Sequence, residues 1–183
     1  MLMNTKLNKY TVHFKGLGTG KHIFNFDVDK EFFEQFEGSE ISNGNLEVEV
    51  ELDKHPNMLE FNILIEGSVE VQCDRCLEPF MIPTNYEGKL VVRISDSIED
   101  EETDDDIWFL SSNDHEVFLA QYIYESICLS IPIQRYHGML GTSQDGCDKE
   151  MLQKLNMLSS SPEESKPEEP KTDSRWDKLK DIL

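Results

Sequence analysis

The stretch Leu46-Glu-Val-Glu-Val-Glu-Leu52 alternates strictly between apolar and acidic residues. Side chains of an extended chain point to opposite faces in turn, so this spacing makes a strand with one buried face and one wet, acidic face. A helix would need its apolar residues three and four apart. Lys54-His-Pro-Asn57 follows with turn residues, and Leu59 to Val71 is long enough for an extended strand, with Gly67 expected at a bulge or kink. On the other side, His22 to Val28 alternates again and Tyr10 to Phe14 suits a short strand. Gly16-Leu-Gly-Thr-Gly20 between them reads as a turn, because no dinucleotide-binding helix follows it. Asp29 can N-cap a short helix carrying Phe32, Phe33 and Phe36 at helical spacing.

Beyond Val71, Phe80 to Ile82 and then Tyr86 to Ile94 continue the sheet, and Ile107 to Leu110 adds a further strand. Consecutive strands with short turns imply an antiparallel meander. A helix is expected over Val117 to Leu129, capped by Asn113 or Asp114 and stopped by Pro132. Its buried side would hold Phe118, Leu119, Tyr122, Ile123 and Ile127, with Cys128 a core thiol. The expected fold class is α+β: an antiparallel β-meander or partly closed, barrel-like sheet, a short N-terminal helix, and one main helix after the sheet.

Residues 1–158 read as one β-rich domain interrupted by an acidic loop at 96–106. Residues 159–173 are rich in Ser, Pro, Glu and Lys and read as a flexible linker. Residues 174–183 regain amphipathic helical spacing through Trp176, Leu179, Ile182 and Leu183. So short a helix is marginal alone and is expected to dock, with Arg175, Trp176 and Leu179 as partner-binding residues.

The 183 residues carry 17 Lys and Arg against 37 Asp and Glu, a net charge of −20. That field opposes tight direct binding to RNA phosphates and suits a basic partner. Solubility alone would also account for it. No apolar run of membrane-spanning length occurs, and the N-terminus lacks a signal-peptide core. A cytoplasmic protein with reduced cysteines is the expectation.

Cys73-Asp-Arg-Cys76 offers two thiols in the spacing of half a zinc knuckle. The remaining ligands would come from His137 and Cys147 in the glycine-rich stretch after the helix, giving Cys73, Cys76, His137 and Cys147 as candidate zinc ligands. The spacing equally suits reduced cysteines flanking a turn, and it does not choose between the two. A strand on either side argues against thioredoxin-type redox work. No G-x-S-x-G or H-E-x-x-H segment is present, and the acidic block lacks EF-hand order, so nothing points to catalysis or strong calcium binding.

Cys73-Asp-Arg-Cys-Leu-Glu-Pro-Phe80 resembles a C-x-R-C-L-x-P segment, closed by Phe or Tyr, of the YceD family, the large ribosomal RNA subunit accumulation proteins. Tyr124-Glu-Ser-Ile-Cys-Leu-Ser-Ile-Pro132 is similar to the family's helix ending, with Glu125 and Pro132 matching. Asp173-Ser-Arg-Trp-Asp-Lys-Leu179 is similar to its C-terminal D-P-R-W segment, with Ser174 in place of proline. The resemblance implies a non-catalytic factor supporting 23S rRNA synthesis, processing or accumulation, with a ribosomal protein or pre-50S particle as partner. It leaves open whether RNA is touched directly. The alternative is a zinc-knuckle adaptor unrelated to ribosomes. Relatives carry further cysteines where this chain has His137 and Cys147, and histidine can stand for cysteine as a zinc ligand.

Overall fold

The computed structural model describes residues 6–95, 107–142 and 146–158. The expected acidic loop, linker and C-terminal helix lie outside the described residues. The chain divides into two compact units, residues 1–148 and 149–183. The described part of the second is a helix at Lys149–Leu158, which the sequence reading did not anticipate.

In the first unit, four long strands form an antiparallel run: β2 (Gly20–Val28), β3 (Asn43–Lys54), β4 (Met58–Gln72) and β5 (Pro79–Ile94). A fifth, β6 (Ile107–Leu110), joins β5 in parallel, so the meander does not extend to it. The sheet order is β2-β3-β4-β5-β6. Among the described residues the sheet is open, with β2 and β6 at its edges, and does not close into the barrel-like form expected from sequence. A two-stranded sheet pairs β1 (Thr11–His13) with β7 (Glu116–Phe118).

The alternation in β3 sets the layers. Leu46, Val48, Val50 and Leu52 are buried, as are Phe61, Ile63 and Ile65 of β4 and Ile82, Leu90 and Val92 of β5. Each such side chain contributes about 1.5–3 kcal/mol relative to exposure. The helix α1 (Lys30–Phe33) is N-capped by Asp29, whose Oδ1 accepts from the Phe32 N–H at 3.2 Å. It buries Phe32 and Phe33. The longer helix α2 (Ala120–Ser130) buries Ala120, Ile123, Ser126 and Ile127. The Tyr122 hydroxyl meets that of Tyr86 on β5 at 2.8 Å, and the Tyr124 ring stacks on Phe36 at 3.9 Å.

Several expectations change. The helix begins at Ala120, because Glu116–Phe118 pairs with β1 as a strand. Neither Asn113 nor Asp114 caps it; Asp114 Oδ2 instead accepts from the Ser111 N–H at 3.0 Å. Cys128 is exposed, not core. Residues 79–94 form one strand rather than two, running through Pro83, Asn85 and Gly88. Pro83 is tolerated because its pairing register turns the position of its missing N–H away from β4, to a side where no described strand pairs. Pairing passes through Gly67 without a bulge. Its φ of +154°, and the Asn45 carbonyl and Leu46 Cα that a Cβ would strike, require glycine there.

Candidate metal centre

The end of β4 delivers Cys73 to a tight turn. Leu77 N–H donates to the Cys73 carbonyl at 2.9 Å, and Cys73 N–H donates to the Glu78 carbonyl at 3.0 Å. Leu77 takes a left-handed φ of 66°, unusual for a branched residue, and Gln72 Nε2 donates to its carbonyl at 2.9 Å. The turn brings Cys76 back beside Cys73, and β5 leaves at Pro79.

A second segment closes over this turn. Asp74 N–H donates to the Arg135 carbonyl at 2.7 Å, and Arg135 N–H donates back to Asp74 Oδ2. Arg135 also pairs with Glu40 at 2.8 Å, and the Arg75 guanidinium lies 3.8 Å from the Tyr136 ring centroid. These ties place His137 over Phe80, with ring centroids 4.6 Å apart. Gly146 then passes so close to the imidazole that a Cβ would collide with it, which sets Cys147 beside the ring.

The four candidate ligands converge. Their ligand atoms all lie within 4.8 Å of one another. Cys73 Sγ is 4.0 Å from Cys147 Sγ, and His137 Nδ1 is 3.5 Å from Cys76 Sγ and 3.3 Å from Cys147 Sγ. Ligand bonds of tetrahedral zinc imply about 3.8 Å between sulfurs and about 3.5 Å from sulfur to nitrogen. Three thiols and an imidazole at these separations could hold a metal ion. Cys73 and Cys76 are buried.

The thiols stand in unlike electrostatic settings. Burial opposes charge on Cys73, but the backbone N–H groups of Cys76, Arg75 and His137, with the Cys76 thiol, bring it down to about 6. Burial pushes Cys147 up to about 11, and hydrogen bonding and charge at Cys76 and Cys73 add to the rise. A cation among them would remove this conflict between crowded thiolates.

Sequence reasoning named all four residues of the cluster but missed what aligns them: Asp74, Arg135 and Gly146. Asp74 and Arg135 carry no spacing signal because they meet only in the folded chain. Arg175, Trp176 and Leu179 lie outside the described residues.

A converging Cys₃His cluster on an open α+β sheet defines a domain with a knuckle-type candidate metal centre. The family model described as "Large ribosomal RNA subunit accumulation protein YceD" matches residues 61–183, and the chain belongs to that family. The matched region holds all four cluster residues and begins within β4. Comparison with curated proteins and with solved structures returned no significant match. No helix among the described residues is long and apolar enough to cross a membrane.

Proposed function

We propose that the protein is a non-catalytic factor supporting 23S rRNA synthesis, processing or accumulation, acting in the cytoplasm through a basic ribosomal protein or a pre-50S particle. The family match over residues 61–183 carries this reading. The cluster would hold zinc as a structural ion. Four protein ligands close a tetrahedral shell, whereas catalytic zinc keeps a position open for water or substrate. The net charge of −20 favours a cationic protein surface over bare RNA phosphates. Arg175, Trp176 and Leu179 would add a tethered docking element.

The test is a clean deletion. Expected are a fall in 23S relative to 16S rRNA, and cosedimentation of the tagged protein with large-subunit precursors. Unchanged rRNA ratios would sink the reading. A second reading, a zinc-knuckle adaptor unrelated to ribosomes, is favoured by the cluster geometry alone. Crosslinked partners that include no ribosomal component would select it.

A further inference from the structure

Strand β2 ends the five-stranded sheet, and its one pairing partner among the described residues is β3. The ladder settles which backbone groups it leaves free. His55 N–H bonds to the Met58 carbonyl across the β3–β4 turn. Counting by two from that pair, Glu47, Glu49, Glu51 and Asp53 bond toward β4, so Leu46, Val48, Val50 and Leu52 bond toward β2. Their partners Val28, Phe26, Phe24 and His22 bond toward β3. Lys21, Ile23, Asn25 and Asp27 therefore aim their N–H and C=O groups away from the sheet. The Asp27 carbonyl agrees, because it accepts from the Tyr10 hydroxyl at 2.9 Å and from Lys9 Nζ at 3.4 Å. Neither contact reaches Lys21, Ile23 or Asn25.

Natural sheets usually blunt such an edge with proline, a bulge, a short strand or charged side chains, and in β2 the only Lys, Arg, Asp or Glu side chains are Lys21 and Asp27, near its two ends. Here the edge is nine residues long, contains no proline and pairs without a bulge. Ile23 is 62% exposed. The outer face beside it is acidic. Asp27, Glu47, Glu49, Glu66 and Glu87 stand in neighbouring positions across β2 to β5, and among the described residues no cation lies within ion-pair reach of their carboxylates. Lys21 and Lys89 are each engaged, by Glu51 and Glu60.

We propose that β2 receives an extended, lysine- or arginine-rich segment of another protein as a sixth strand. Backbone hydrogen bonds to Lys21, Ile23 and Asn25 supply the seat, and alternate basic side chains lie over the acidic outer face. A second copy fits less well. Pairing β2 with itself would place two like-charged faces side by side in molecules that each carry −20. The inference deepens the function proposed above, and its cellular arm rests on that reading, by giving the basic partner a binding mode.

The probe is a synthetic peptide of alternating lysine and valine, with a glutamate–valine peptide as control, added to the full-length metal-loaded protein. Expected is slower amide exchange at Lys21, Ile23 and Asn25 with the lysine peptide alone. Ile23→Pro removes an outward N–H that β3 does not use, so binding should fall at least about tenfold while the melting temperature holds. Glu47→Lys with Glu49→Lys should weaken binding similarly, and this pair carries the test if the proline variant does not fold. Equal binding by the variants that fold, no protection along β2, or a dimer lost on Ile23→Pro would each overturn the proposal. In cells, Ile23→Pro should fail to restore the 23S rRNA lost on deletion. Full restoration would reject the edge and leave the ribosomal reading standing. A deletion with no rRNA phenotype would reject that reading and leave the peptide result intact.

Discussion

In the sheet, Val50 sits between Phe24 on one strand and Ile63 on the next, and every neighbour repeats the arrangement. In the knuckle, Cys73 meets Cys147 across 74 positions of chain, held by a few particular contacts such as the Asp74–Arg135 hydrogen-bond exchange and the clearance at Gly146. The sheet spreads its stability over many equivalent apolar contacts. With a metal bound, the knuckle would concentrate its stability in four ligand atoms. A change at one sheet position should therefore be partly absorbed, whereas a change at one ligand should not.

The largest expected effect breaks the knuckle alone. Cys76→Ser removes a thiolate from the cluster, and zinc affinity should fall by more than about 100-fold, since structural zinc binding depends on each deprotonated ligand. Metal content of purified protein reads this directly: about one equivalent in the parent chain and none in the variant. Backbone chemical shifts of β2, β3 and β4 should stay in place. Collapse of the sheet on metal loss would show that the two regions form one cooperative body, and zinc-free but fully folded parent protein would reject the zinc assignment.

The converse change loads the sheet. Gly67→Ala would drive a methyl into the Asn45 carbonyl and hold a side-chain-bearing residue at φ +154°. The cost should be about 3 kcal/mol of unfolding free energy, from strained backbone and overpacking together. Denaturant titration measures it, and zinc stoichiometry should not change. Parent-like stability would mean that the β3–β4 ladder yields at this point more readily than its close approach implies.

The two regions also differ in how far the chain announces them. Period-2 alternation in 46–52 names a strand, its buried side and its wet side at once, because one residue's neighbours decide its face. The Asp29 cap and the turn at 54–57 are equally local. What was lost depends on distant partners. Asn85 and Gly88 look like mild interruptions between two strands, 80–82 and 86–94, until the ladder runs unbroken through 79–94, with Pro83 aiming its missing donor away from β4. Glu116–Phe118 reads as the start of a helix until β1 pairs with it. In the knuckle, residue chemistry named Cys73, Cys76, His137 and Cys147, since few residue types ligate zinc. The H-x₉-C spacing could not show convergence, because the Asp74–Arg135 exchange that enforces it joins residues far apart in the chain.

Gly146 gives the finest test of that enforcement. It donates nothing to a metal, and its role is clearance beside the His137 imidazole. In Gly146→Ala the added methyl must push the ring or displace the Cys147 backbone, changing the 3.3 Å separation between His137 Nδ1 and Cys147 Sγ. Supporting groups around a metal site typically affect affinity by about 10–100-fold, so a loss of about tenfold is expected with all four ligands still present. Competition against a chromophoric chelator measures it, and cobalt substitution reads the geometry through its absorption bands. The sheet should be untouched, so denaturant unfolding monitored on β3 and β4 should match the parent. Unchanged affinity with unchanged cobalt spectra would mean that residues 146–147 move freely, leaving the Asp74–Arg135 exchange as what fixes the site. A tenfold loss would place the ligand geometry under backbone control from both flanks of His137.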